Sequence, residues 1–263
     1  MTGAAVAGIG LMTGWGDGVS ALPVDATTAA AGRRVVTLER AAVEGERFRR
    51  ATRECRLGVA AVDALLRDAG LGRDDLRGPG TGLLYVTAGA YAASNLAFIA
   101  AESPGALHFP YTAPSAVPGE VAIEFGLTGA YEILIGGAAA TIDALWRAAL
   151  LLARGRCARA LVLAVETFAE CEDLCSRGRW LVRPPLVESA ACVLLGPGPL
   201  AAAYGPVPEP SPLEIRARAR AGETLACAPL IALALARAAG DTEGVRLTGE
   251  WRRRRVGLTL EAR

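Results

Sequence analysis

The chain has 263 residues, 52% apolar and 21% charged, with a formal net charge of +1 and a mean hydropathy of +0.32. A sizeable core is therefore available and wholesale disorder is excluded. The near-neutral balance also removes the long-range attraction that a nucleic acid or an anionic membrane surface would need. All 28 basic residues are arginine, so a P-loop lysine and a Schiff-base lysine are both excluded. The one histidine, His108, cannot build a multi-histidine metal centre. Neither a metal nor a cofactor is expected.

Ala4 to Met12 is a short apolar segment closed by Thr13, Gly14, Trp15, Gly16, Asp17 and Gly18, the pattern of a buried strand entering a glycine-rich turn. No basic leader with a signal-type apolar stretch precedes that turn, and a cytoplasmic location is expected. Residues 46 to 70 read as a helix. In it Leu57, Ala60, Ala61, Ala64, Leu65 and Ala69 recur at three- and four-residue steps, Arg49, Arg50, Arg53, Glu54 and Arg67 take the other side, and Gly70 sits at the stop. Leu83 to Thr87 is a second strand. A small-residue stretch then leads to a helix from Pro118 to Phe125 ended by Gly126, a strand from Tyr131 to Ile135, and a long helix from Ala140 to Arg154 ended by Gly155. Asp143 and Arg147 interrupt the longest apolar run, so no membrane span is expected. Ala160 to Val165 and Ala190 to Leu195 are apolar strands, the second entered through Pro184 and Pro185.

Strands alternating with helices call for an α/β fold whose sheet is covered on both faces. Residues 205 to 212 hold four prolines and read as a connector, and Thr224 to Ala239 as an alanine- and leucine-rich helix. Val245 and Leu247, then Val256, Leu258 and Leu260, alternate at period two as a closing hairpin around Arg252 to Arg255. Charge runs usually face water, and this one is expected at a solvated tip.

The six cysteines, at 55, 157, 171, 175, 192 and 227, lie mostly in apolar runs and read as reduced structural thiols. Cys171 and Cys175 are four apart with no second pair or nearby histidine, so zinc is not expected. Gly8, Gly10 and Gly14 follow a strand, with Glu39 beyond Val35 and Val36, but the third glycine of a dinucleotide fingerprint should lie three residues after the second and open a helix at once. The expected role is a turn that needs glycine dihedrals.

The most informative stretch runs from Pro114 to Phe168: PSAVPGEVAIEFGLTGA, then YEILIGGAAATIDALWRAALLLARGRCARALVLAVETF. A helix ending in a GLxG-type turn, a strand entering a small-residue turn, a long helix ending in RG and a strand before a VE pair follow one another. This order resembles the N-terminal half of a β-ketoacyl synthase, a thiolase-fold condensing enzyme. The opening VAGIGLMTGWGDGV and the segment LVESAACVLL resemble the first strand and the last N-terminal strand of that family. The resemblance covers residues 4 to about 200 and implies a thiolase-like α/β fold. Residues 1–204 would form the N-terminal domain, and 205–263 a shortened C-terminal segment packed on it.

The resemblance also places the nucleophilic cysteine of the family at Ala138, whose methyl group cannot attack a thioester. The second-half histidine motif and the lysine of the family are absent. Such a half resembles the short chain length factors of type II polyketide and aryl polyene-type systems, inactive partners of a ketosynthase acting on acyl carrier protein. It implies that Tyr131, Glu132, Ile133, Leu134 and Ile135 pair with the partner subunit. It further implies that His108, Phe109, Tyr111 and Thr112 line or gate the partner's acyl channel, the alternative for these four being local packing. Two other readings stay open: a homodimeric acyl-binding module, and an atypical acyl-thioester hydrolase or acyltransferase using Ser115 or Cys171 with His108.

Overall fold

The computed structural model describes residues 3–39, 43, 45–49, 51–101, 109–169, 185–198, 200–241 and 244–262. The strands are β1 (Gly3–Thr13), β2 (Gly16–Asp17), β3 (Val35–Val36), β4 (Thr81–Thr87), β5 (Tyr131–Ile135), β6 (Arg159–Glu166), β7 (Leu186–Val187), β8 (Ser189–Gly198), β9 (Leu200–Pro206), β10 (Val245–Trp251) and β11 (Arg254–Ala262). The helices are α1 (Ala26–Ala30), α2 (Arg53–Ala69), α3 (Ala92–Ala100), α4 (Ala116–Phe125), α5 (Ala138–Ala153), α6 (Pro212–Ala221) and α7 (Ala228–Ala238). Among the described residues a mixed sheet runs in the order β10-β11-β9-β1-β8-β6-β4-β5, with β2 paired to β1. In this sheet β5, β4 and β6 are parallel and every other neighbouring pair is antiparallel, while β3 and β7 form a separate parallel pair.

Period-two alternation sorts the side chains between two cores, one on each face of this sheet. Leu161, Leu163 and Val165 of β6 and Cys192 and Leu194 of β8 join α2 and α4 in one core. Their neighbours Val162, Ala164, Ala191 and Val193 join α5 and α7 in the other. Gly8 and Gly10 lie under α2 so closely that a Cβ at Gly10 would stand 2.1 Å from the Ala61 carbonyl oxygen. Neither has a positive φ. Close approach of strand to helix, rather than a turn, explains these two glycines, and β1 runs into the β2 hairpin instead of a nucleotide-binding helix.

The α5 helix packs on β4 and β6 and also on β10 and β11, strands from opposite ends of the sheet. The sheet therefore curls around this helix. A groove of about 620 Å³ remains along the open side of α5, lined by Glu132, Trp146, Arg147, Tyr204 and Arg254 among others.

Several elements differ from expectation. The helix expected over 46–70 starts at Arg53, with Thr52 extended as its N-cap and a separate 3-10 turn at Glu46–Arg49. The supposed connector holds the end of β9, and the helix α6 follows it. Ser211 caps α6 by accepting from the Glu214 amide at 3.2 Å, and Pro212 occupies the first turn, where its missing donor costs nothing. Residues 225–227 form a 3-10 turn ahead of the shorter α7. In the arginine run, Arg252 and Arg253 form the exposed tip with positive φ. Arg254 and Arg255 lie instead in β11, held by Asp143 at 2.7 Å and by Glu214 at 2.7 Å.

Candidate functional site

The strand-turn-helix unit from Tyr131 to Ala153 is the centre of the site. Gly136 and Gly137 close β5, and Ala138 is the first residue of α5. Helix N-termini expose unsatisfied amides, which is why such a turn suits a nucleophile. Here β10 covers it. A Cβ on Gly137 would stand 2.4 Å from the Trp251 ring, and a Cβ on Gly249 would stand 2.6 Å from the Ala138 carbonyl carbon. The Trp251 indole packs directly against the double glycine, and Gly249 lets the strand backbone reach Ala138. A substituent at either glycine would displace the hairpin. Sequence reading missed this lid: Gly249 and Trp251 share a strand face, but nothing in linear order pairs them with residues 136–138.

The hairpin is pinned by a polar network beside its tip. Tyr204 donates its hydroxyl to Asp143 at 2.7 Å, Arg254 donates to both Asp143 oxygens at 2.7 and 3.0 Å, and the Trp146 and Tyr204 rings stack with centroids 5.6 Å apart.

The expected partner-facing strand is a sheet edge. β5 pairs with β4 on one side and, among the described residues, has no strand on the other. The Leu83 amide donates to the Ala130 carbonyl at 2.7 Å and the Gly136 amide to the Thr87 carbonyl at 2.9 Å. Parallel alternation then assigns the even-numbered residues of β5 to the β4 ladder. The amides and carbonyls of Tyr131, Ile133 and Ile135 face outward. Tyr131 and Ile135 are 45% and 51% exposed, whereas Ile133 leans on the α2–α4 core and Leu134 on the α5 core. Glu132 accepts from Arg147 at 2.9 Å.

Of the four expected channel residues, His108 lies outside the described residues. Phe109 is 63% exposed and meets Phe98 edge-on at 5.8 Å. Thr112 donates its hydroxyl to the Phe109 carbonyl at 2.8 Å, and Asn95 of α3 donates to the Thr112 carbonyl at 2.7 Å. Tyr111 hydrogen-bonds Glu120 at 3.3 Å and packs on the same core as Ile133. The segment and the edge strand thus adjoin one apolar cluster. Ser115 stands exposed at the N-cap of α4, and Cys171 lies outside the described residues.

Two buried carboxylates behave differently. Glu188 accepts two bonds from Arg53, at 2.8 and 2.7 Å, and the amides of Leu38, Phe168 and Ala169 at 2.8, 2.6 and 2.7 Å. Burial pushes its pKa up, but the guanidinium and the amides outweigh that and hold it below the ordinary value. Among the described residues, no cation pairs with Glu166. Burial raises its pKa to about 8, against the amides of Ala88, Gly89 and Ala226 and the Thr87 hydroxyl. Burial likewise raises the thiols of Cys55, Cys157, Cys192 and Cys227, which removes them as nucleophiles.

Because Glu166 binds its proton more tightly folded than unfolded, ionisation opposes folding, and its contribution is full below about pH 4.5 and lost as the pH rises through about 8. Stability should therefore fall by about 1.4 kcal/mol per pH unit between those limits from this one group. Chemical denaturation of Glu166→Gln at a series of pH values should show that slope removed. An identical slope in the variant would exclude Glu166 as its source.

The profile of the family "Beta-ketoacyl synthase, N-terminal domain" matches residues 37–182. No curated protein sequence matches the chain. Among solved structures, the fold is similar to that of the ishigamide ketosynthase/chain length factor, with TM-score 0.71 and 17% identity over 98% of each chain. It is similar to AntDE:AntF, a type II polyketide synthase acyl-carrier protein in complex with its ketosynthase, with TM-score 0.79 and 15% identity over 100% of each chain. The ketosynthase ApeO in complex with its chain length factor ApeC from Xenorhabdus doucetiae gives TM-score 0.65 and 14% identity over 98% of this chain and 99% of that one. Identities this low establish the thiolase-like fold. The profile match, which spans more than half of the chain, establishes that it belongs to the β-ketoacyl synthase N-terminal domain family.

Proposed function

We propose that the chain is a noncatalytic chain length factor, which pairs with a ketosynthase through β5 and helps shape its acyl channel during polyketide or polyene elongation on acyl carrier protein. The observation that carries this reading is the strand-turn-helix unit. Its outer edge is open for pairing, while the position of the nucleophile holds Ala138 under Gly249 and Trp251. Similarity in fold to ketosynthase and chain length factor complexes supports it. Phe109, exposed and set edge-on against Phe98, offers the bulk to floor a channel reaching across from the partner.

Co-expression with a candidate ketosynthase tests the reading. A one-to-one complex should form and should condense carrier-bound acyl chains, while either chain alone should not. A ketosynthase that performs the full condensation unaided would overturn it. Ala138→Cys should add no condensation, because the new thiol would lie under the β10 backbone and lacks histidines to stabilise the developing charge. Measurable condensation by that variant alone would sink the noncatalytic assignment.

A further inference from the structure

We propose that the groove along the open side of α5 binds an amphiphilic anion, an elongated apolar body that ends in a carboxylate or phosphate, with the head at Arg154 and Arg156 and the body along Leu151, Leu150 and Trp146. The charge balance inside the groove carries the argument. Four arginines and two acids line it, and both acids are already taken: Arg147 holds Glu132 at 2.9 Å, while Arg254 and the Tyr204 hydroxyl each hold Asp143 at 2.7 Å. Arg154 and Arg156 are exposed, and among the described residues neither has a carboxylate within ion-pair distance. They stand where α5 ends, Arg154 as its C-cap, so the negative end of the helix dipole favours their charge but supplies no counterion. Guanidinium forks match the planar oxygens of a carboxylate or the oxygens of a phosphate.

Between that head site and the Asp143 network the groove is apolar. Arg147, Leu150, Leu151 and Arg154 recur at three- and four-residue steps, and Trp146 precedes Leu150 by four, so all five share one side of α5. Trp146 stacks on Tyr204 with the ring planes 9° apart, which makes a stiff aromatic wall. At a rise of about 1.5 Å per residue, Trp146 lies roughly 12 Å along the helix axis from Arg154, a span that a medium-length chain matches. The volume, about 620 Å³, falls within the range of small-molecule sites, roughly 300–1,000 Å³. Trp146, Leu151 and Tyr204 pack on the α5 core, whereas Tyr111 packs on the α2–α4 core across the sheet. The groove is therefore a second site, on the opposite face from the segment assigned to the acyl channel.

The test titrates the purified chain by calorimetry with decanoate, decyl phosphate, decanol and decyltrimethylammonium, each below its micelle-forming concentration. Decanoate or decyl phosphate should bind at one site per chain, and the tighter of the two identifies the head group; the alcohol and the cation should bind at least tenfold more weakly. Affinity for the anion should fall at least tenfold in the double variant Arg154→Glu, Arg156→Glu, and also in the wild type at about 1 M salt, where the screening length is about 3 Å. Leu150→Trp fills the floor without changing the charge and should weaken binding as much, with circular dichroism unchanged. The double variant Arg216→Glu, Arg246→Glu makes the same charge change on exposed arginines outside the groove and should bind as the wild type does. No binding of either anion, equal binding of decanol, full affinity in the Arg154 and Arg156 variant, or an equal loss in the Arg216 and Arg246 variant would each overturn the proposal. These changes leave β5 untouched, so such a failure would leave the chain length factor reading standing.

Discussion

A chain carrying Ile133→Asp should fold and yet fail to co-elute with its ketosynthase partner. Ile133 sits at the centre of the open edge, with its side chain leaning on the α2–α4 core and its amide and carbonyl facing outward. In the single chain an aspartate there can still reach water. In the complex it would be sealed at the seam between the paired strands without a cation, a cost of roughly 2–5 kcal/mol after relaxation. At about 1.4 kcal/mol per tenfold, that is a loss of some 30-fold to several thousand-fold in affinity. Condensation by the complex should disappear with it, although no catalytic atom has changed. Arg253→Asp is the control. Arg253 is exposed at the hairpin tip with φ of 68°, a conformation aspartate tolerates, and its replacement should change assembly by less than about 0.5 kcal/mol. Size-exclusion chromatography of co-expressed chains reads both, with circular dichroism reporting the fold. An intact complex containing folded Ile133→Asp would remove the seam from β5.

Arg53→Met should be among the most destabilising single changes in the molecule. It strands the Glu188 carboxylate, whose side chain is 0% exposed, while Arg53 itself is 24% exposed. Removing one partner of a buried pair typically costs about 3–5 kcal/mol, because the remaining charge keeps its desolvation penalty and loses its compensation. The three amides that donate to Glu188 soften the loss without cancelling it. Two further outcomes identify the cause. Adding Glu188→Gln should restore part of the stability, since the neutral amide still accepts from the backbone. The deficit of the single variant should also shrink as the pH is lowered, because the stranded carboxyl can then take a proton. A cost below about 1 kcal/mol at neutral pH would mean that water reaches Glu188 more easily than its burial implies.

Most of the parallel and central strands were legible in the sequence because an apolar run between glycines is a local signal. Tyr131–Ile135 was located to the residue, and the neighbouring strands to within a few residues. The segments that escaped were those defined by tertiary partners. β9 went unread, its last two residues falling in the expected connector over 205–212, and only β11 beside it defines the strand. The helix α6 did leave a local trace, Ser211 with Glu214 three residues on and Pro212 between them, an N-terminal signature that the prolines upstream obscured. Ala138 could be singled out from the order of motifs. The Trp251 lid and the burial of Glu166 among backbone amides arise from approaches across many residues, and no periodicity records those. Arg255 shows the same limit: a charge run says that arginines prefer water, but Glu214 draws this one largely out of it, while Arg254 stays exposed beside Asp143.

The position of β1 within the sheet dictates the timing of assembly. This strand, residues 3–13, lies between β8 and β9, which span residues 189–206. At a synthesis rate of about 5–20 residues per second, some 10–40 s separate the appearance of β1 from that of its neighbours. During that interval an apolar strand and the face of α2 that it will cover have no native place to go. Contacts so distant in sequence also close slowly, since their loop entropy must be met before any bond forms. The nascent chain is thus a natural client for a holding chaperone, and slowing translation should lower its soluble yield, whereas a fold assembled from sequential neighbours would be indifferent.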